Sequence, residues 1–251
     1  MSLIGEAREL VSGAECIVLL TGAGISTDSG IPDFRGPNGL WTKNPAAERI
    51  ATLNHYLNEP EVRELAWRGR LDAEGWKAEP NRAHRSIVAL EKIGMLRAVV
   101  TQNVDGLHQK AGNSEDFVIE VHGTIHRTMC WSCGDKRPML AALERVKAGE
   151  RDPSCELCGG ILKSDTISFG QNLVPEVIDA AITAVAECDL LIAVGTTLAV
   201  YPAANLVPQA RQAGAGIIIL NGQPTAMDTY ADVLIHAQIG DALPAILDPA
   251  G

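Results

Sequence analysis

The sequence predicts an α/β fold: a parallel sheet covered by helices on both faces and interrupted by a smaller inserted domain. Three observations lead there. Short, wholly apolar runs recur along the 251 residues. Helical periods separate most of these runs. Two stretches, 36 to about 80 and 123 to about 165, break the rhythm, and the second holds four cysteines in two close pairs.

Glu6 to Val11 opens an amphipathic helix that stops near Gly13. Cys16–Leu20 follows as an apolar run leading into Thr21-Gly22-Ala23-Gly24. A strand with helices over both faces has this continuous apolar pattern. Ala98–Thr101, Phe117–Val121, Asp189–Val194 and Gly216–Leu220 read the same way, and Ala231–Ile235 supplies a sixth strand. Val174, Val177, Ile178, Ala181, Ile182 and Val185 keep helical spacing, with Pro175 suited to the first helical position. Strands alternating with helices argue for a parallel sheet. Residues 36 to about 80 carry Pro, Asn, Trp and polar helical patterns without a strong strand. The expected division is a Rossmann-like domain from about 1–35, 81–122 and 166–251, and a small domain from a helical segment (about 36–80) and a cysteine module (about 123–165). There is no internal repeat and no low-complexity segment.

Composition bounds the partners. Hydrophobic residues at 46% and charged residues at 21% describe an ordinary globular chain. The formal charge of 21 − 31 = −10 repels phosphate backbones, which argues against direct nucleic-acid binding and weakly favours cationic partners such as lysine-rich peptides. No apolar run reaches the roughly 18 residues a membrane span needs. The first residues carry Glu6 and Glu9 and lack the basic-then-apolar pattern of a signal peptide. A cytoplasmic location and a reducing environment are expected, so the six cysteines should not be assumed to pair.

The glycine loop Gly22-Ala23-Gly24 directly follows the first strand, where a tight turn lets the backbone approach a pyrophosphate. An ordinary strand-to-helix turn is the plain alternative. The loop departs from a dehydrogenase fingerprint: Thr27 stands at the third glycine position, and no second strand ends in an acidic residue about twenty positions on. It continues instead as a polar, Gly/Pro-punctuated segment that sets Asp33 and Arg35 beside the expected cofactor, suggesting chemistry on the dinucleotide itself.

Cys130-x-x-Cys133 and Cys155-x-x-Cys158, with 21 residues between the pairs, have the two-knuckle spacing of a structural zinc site. Four thiolates leave no open coordination position. Two disulfides or four free thiols are the alternative. Cys16 and Cys188 sit in or beside apolar strands and read as core filling. Gln102, Asn103 and Asp105 fall just past a strand's carboxyl end, where open α/β sheets bind ligands, although a solvated turn reads similarly. His122 ends another strand at the same sheet edge and is the candidate for proton transfer, with His108 as its competitor.

Taken in order, these residues resemble the sirtuin family. The matching stretches are Gly22–Arg35, Thr101–His108, Glu120–Gly123, both cysteine pairs, Gly195–Thr197 with Val200–Pro202, and Asn221, covering nearly the whole chain. The resemblance implies an NAD-dependent protein-lysine deacetylase acting on acyl-lysine proteins or peptides, with one structural Zn2+ per chain. It implies NAD contacts from Gly22, Ala23, Gly24, Thr27, Ile31, Asp33, Phe34, Arg35, Gln102, Asn103, Asp105, Gly195, Thr196, Thr197, Asn221, Gly222 and Ala242. His122 would be the general base and Asn103 a second catalytic residue. Ile167, Phe169 and Gly170 would contact the peptide.

Some positions depart from the family pattern. Ser164, Ser168 and Gln171 stand where proline, an apolar or aromatic residue, and glutamate are frequent. Members preferring acidic acyl groups tend to carry a Tyr-x-x-Arg pair, and alignment puts Trp67 and Arg70 there as acyl-contacting residues. Loss of the tyrosine hydroxyl leans the expectation towards deacetylation. The rival readings are an ADP-ribosyltransferase on the same scaffold, a non-catalytic NAD or ADP-ribose sensor, and a nicotinamide dehydrogenase.

Overall fold

The computed structural model describes residues 2–33, 39, 46–71 and 73–247. Its main sheet has six parallel strands: β1 (Ile17–Thr21), β2 (Leu96–Thr101), β3 (Val118–Glu120), β7 (Leu190–Val194), β8 (Gly216–Leu220) and β9 (Val233–Ile235). The spatial order is β3-β2-β1-β7-β8-β9. Counted within this sheet alone the order is 3-2-1-4-5-6, that of dinucleotide-binding folds, with the reversal between β1 and β7. All six expected strands are present: β3, β7 and β9 are shorter by one or two residues, β1 is shifted by one, β2 begins two residues earlier, and β8 has the expected bounds.

Burial explains why these strands were legible. Along β1 the side chains alternate between two cores: Ile17 and Leu19 enter one, Val18 and Leu20 the other, and all four are fully buried. The first core is closed by α1 (Leu3–Gly13), α5 (Arg82–Lys92) and α10 (Ile239–Leu247). The second is closed by α8 (Pro175–Glu187) and α9 (Leu206–Gln212). The Ser2 hydroxyl caps α1 by accepting from Gly5 N–H at 3.1 Å. Asn81 and His84 form a reciprocal capping box at the start of α5.

The two interruptions form a second, smaller assembly. Three antiparallel strands, β4 (Gly123–Cys130), β5 (Lys136–Pro138) and β6 (Leu162–Thr166), pair in the order β5-β4-β6. Around them lie α2 (Ala46–Ile50), α3 (Leu53–Asn58), α4 (Pro60–Leu71) and α7 (Met139–Lys147). Trp67, Met139, Leu143 and Leu162 share a core with Cys130 and Cys155. Trp67, expected to contact the acyl group, is fully buried there and is not among the residues lining the cavity described below. Between Thr124 and Thr128 the β4–β6 register shifts. The bulged residues turn towards the main sheet: Ile125 N–H donates to Val104 O at 2.9 Å, and His126 Nε2 meets Asp105 O at 2.8 Å. Among the described residues no helix is long and apolar enough to cross a membrane.

Candidate active site and thiolate cluster

A cavity of about 1060 Å³ runs along the carboxyl ends of β1, β2, β7 and β8, between the main sheet and the small assembly. It lies at the topological reversal, where open α/β sheets take their ligands. Gly22, Ala23, Gly24, Thr27, Ile31, Asp33, Gln102, Asn103, Asp105, His122, Ile167, Phe169, Gly170, Gly195, Thr196, Thr197, Asn221 and Gly222 all line it. Phe34 and Arg35 lie outside the described residues. Ala242 does not line the cavity. It sits one turn into α10 and is packed in the core, while Gln238 and Ile239 at the start of that helix face the cavity instead.

Glycine is required in the loop by contact between two chain segments. A Cβ on Gly22 would meet Gly195 O at 2.8 Å, and one on Gly24 would meet Gly195 Cα at 2.7 Å. Gly195 itself has φ +63°, and its Cβ would stand 2.5 Å from Ile25 N. Gly24 N–H donates to Gly195 O at 2.8 Å, so the loops after β1 and β7 are interlocked through backbone alone.

A buried polar network forms part of the cavity wall. Asn103 Nδ2 donates to Gly22 O and Ser26 Oγ, both at 3.1 Å. Ser26 Oγ donates to Asp105 Oδ2 at 2.8 Å, and Leu107 N–H donates to Asp105 Oδ1 at 3.0 Å. Gln102 Nε2 donates to Thr196 Oγ1 at 2.9 Å, joining the ends of β2 and β7. Ser26, fully buried here, was missed in the sequence because a serine in a Gly/Ser/Thr loop reads as solvated.

His122 follows β3 and lines the cavity. Its Nδ1 lies 3.0 Å from Gln102 O, an acceptor only, so Nδ1 carries the proton and Nε2 keeps a lone pair. Burial pushes its pKa below the ordinary histidine value, against the opposing pull of the Gln102 carbonyl. The next residue, Gly123, has φ +73°, and a Cβ there would fall 2.0 Å from Asp165 O. That glycine serves the β4–β6 pairing and not access to the histidine. His108 lies behind the wall, and burial pushes it down to about 3.

The 167–170 segment is held from both ends. Ile167 N–H donates to His122 O at 2.8 Å, and Phe169 N–H donates to Ala51 O at 2.9 Å. Gln171 closes the turn, its Oε1 accepting from Ser168 N–H at 3.2 Å. Ser164 and Thr166 belong to β6 and not to the loop that follows it. Arg70 does not line the cavity. Its guanidinium lies 4.7 Å over the Trp67 ring and donates to Ser164 Oγ at 3.2 Å. A tyrosine hydroxyl does stand beside it: that of Tyr56, from α3, at 3.5 Å.

The four paired cysteines converge. Their sulfurs all lie within 4.8 Å of one another, with Cys130–Cys158 at 3.5 Å and Cys133–Cys155 at 3.7 Å. A tetrahedral zinc with Zn–S near 2.3 Å sets its sulfurs about 3.8 Å apart, so the cluster fits the ion. The knuckles repeat one pattern: Gly134 N–H donates to Cys130 O at 2.9 Å, and Gly159 N–H donates to Cys155 O at 2.8 Å. None of the six cysteines is in a disulfide.

The sheet order, the cavity at its reversal and the appended four-thiolate module define a dinucleotide-binding α/β protein with a structural metal knuckle. The chain belongs to the Sir2 family, whose model matches residues 22–202. It is 47% identical over 241 residues to NAD-dependent protein deacetylase 2 of Streptomyces coelicolor, covering 96% of this chain and 100% of that one. It is 42% identical over 250 residues to the NAD-dependent protein deacetylase of Sulfolobus acidocaldarius, covering 98% and 96%. Among solved structures, a Sir2 complex with p53 peptide and NAD+ superposes with a TM-score of 0.86 at 31% identity, covering 97% and 96%. Sir2Tm bound to a propionylated peptide gives 0.85 at 30% identity, covering 96% and 95%.

Proposed function

We propose that this chain is an NAD-dependent protein-lysine deacetylase, releasing nicotinamide and O-acetyl-ADP-ribose. The observation that carries the reading is the tethered His122, whose free Nε2 shares one cavity with the glycine loop and the Asn103–Ser26–Asp105 network. NAD+, when bound, supplies an electrophilic ribose carbon and a nicotinamide leaving group. The Gly22–Gly24 turn, Thr27, Ile31, Asp33, Thr196, Thr197, Asn221 and Gly222 hold the dinucleotide. Asn103 and Asp105 orient its nicotinamide end. His122 Nε2 takes the proton of a ribose hydroxyl, and the Gln102 carbonyl stabilises the imidazolium that forms. Ile167, Phe169 and Gly170 hold the peptide backbone. Cys130, Cys133, Cys155 and Cys158 hold one Zn2+, which leaves no position for substrate and takes no part in the chemistry.

The division into a Rossmann-like domain of about 1–35, 81–122 and 166–251, with a small domain of about 36–80 and 123–165, is supported by the separate sheets. Unpaired cysteines support a cytoplasmic location. The test is His122→Ala assayed with labelled NAD+ and an acetyl-lysine peptide. Deacetylation should fall about 10²–10⁴-fold, the usual cost of losing a general base, with NAD+ affinity and thermal midpoint little changed. Full turnover by the folded variant would overturn the assignment. Transfer of ADP-ribose to protein in place of deacetylation would favour the transferase reading.

A further inference from the structure

A second buried polar chain ends at Asn103 without touching the cavity. Thr21 and Thr101 are register partners at the carboxyl ends of β1 and β2. Their hydroxyls lie 2.9 Å apart, and both residues are nearly or fully buried. Thr101 Oγ1 accepts the Asn103 backbone N–H at 3.1 Å, and Thr21 Oγ1 lies 3.0 Å from His108 Nε2. Behind His108 stands His84, its ring edge-on with centroids 5.0 Å apart. Both histidines are almost wholly buried, and His84 Nε2 and His108 Nδ1 have no hydrogen-bond partner among the described residues.

Proton counting orders this chain. The Asn81 backbone N–H donates to His84 Nδ1, so a neutral His84 carries its proton on Nε2. The unpartnered nitrogen of His84 is therefore a donor. Thr21 Oγ1 donates its proton to Thr101 Oγ1 and so accepts from His108, which places the His108 proton on Nε2. Nε2–H then donates to Thr21 Oγ1, and Thr21 donates onward to Thr101. Thr101 Oγ1 thus accepts from both Thr21 and the Asn103 backbone. The hydrogen-bonded sequence runs from His108 through Thr21 and Thr101 to the Asn103 backbone.

We infer that His108, packed against the His84 ring, is a positioning residue for Asn103. It fixes the Thr21–Thr101 hydroxyl pair from which the Asn103 backbone hangs, and so aims the Asn103 amide at Gly22 O and Ser26. The inference rests on the proposed role of Asn103 at the nicotinamide end.

The experiment compares purified full-chain variants in steady-state deacetylation, with nicotinamide as product inhibitor. Thr101→Val keeps shape and removes the acceptor. His108→Leu removes the donor. Each should lower kcat/KM for NAD+ and weaken nicotinamide inhibition by about 3- to 10-fold, the worth of one hydrogen bond, with peptide KM unchanged. Thr101→Ser should restore most of the loss. The double variant should cost no more than the worse single, because the chain is already cut. Val185→Ala, in the opposite core, controls for general loosening: it should lower the thermal midpoint and leave both constants alone. Unchanged constants in Thr101→Val beside an impaired Asn103→Ala would overturn the inference, as would an equal loss in Val185→Ala. Full activity in Asn103→Ala would instead remove the reading of Asn103 itself. Thr101→Val decides the matter even where His108→Leu fails to fold.

Discussion

At the scale of single residues, histidine protonation has two separable consequences. His122 must be neutral to accept a proton, and burial lowers its pKa. The acid limb of kcat should therefore fall below the ordinary histidine value of about 6.5. A pH–rate profile with that limb above 7 would contradict this. Burial also lowers His84 to about 4 and His108 to about 3. The unfolded chain takes up both protons as pH falls through about 6.5, whereas the folded chain takes up neither until near those lower values. Their contribution to stability is complete above pH 6.5 and declines steadily as pH drops towards 4. The thermal midpoint should fall over that window, and more steeply than in a His84→Gln/His108→Leu protein. Acyl choice is also a residue-scale matter. No Lys or Arg is among the described residues lining the cavity, and Arg70 is engaged behind Ser164. A succinyl carboxylate meets no cation among the described lining residues, so kcat/KM for acetyl-lysine should exceed that for succinyl-lysine. The reverse ratio would place a cation in the site.

At the scale of elements, the interlock of the loops after β1 and β7 is the most sensitive joint. Gly195→Ala combines a left-handed backbone with a Cβ 2.5 Å from Ile25 N. Over-packing and αL strain together should cost about 3 kcal/mol in denaturant unfolding and abolish NAD+ binding. A variant as stable as the parent would show that the loops can separate. The six parallel strands were legible because burial on both faces makes them continuously apolar. Gly123–Cys130 and Leu162–Thr166 were not, because an antiparallel pair with polar His126, Arg127 and Asp165, a buried lysine at Lys163 and a mid-strand bulge lacks any clean period. The site residues at strand ends were read from local pattern. Their cross-strand partners, such as Thr21 with Thr101, were not, since register appears only after folding. Trp67 and Arg70 were aligned by spacing along a helix, and spacing alone does not say which face meets the cavity.

At the scale of the whole molecule, metal and cofactor regions are built on different sheets and meet at few points. Four thiolates should bind about one zinc per chain, and chelation should unfold the small assembly first, leaving main-sheet helicity largely intact. Metal analysis finding no zinc in active protein would remove the claim. The bulge in β4 says what partial loss should look like. It divides the strand in two: Thr128–Cys130 runs into the knuckle, and Gly123–Thr124 continues from His122. The bulged residues between them grip Val104 and Asp105. His122 has a second anchor on the main sheet, at Gln102, besides its link to Ile167 just past β6. Slackening of the knuckle therefore reaches the nicotinamide side before the base. In a stepwise dialysis series, KM for NAD+ should rise while kcat still holds, so that metal occupancy tunes cofactor demand before it extinguishes turnover.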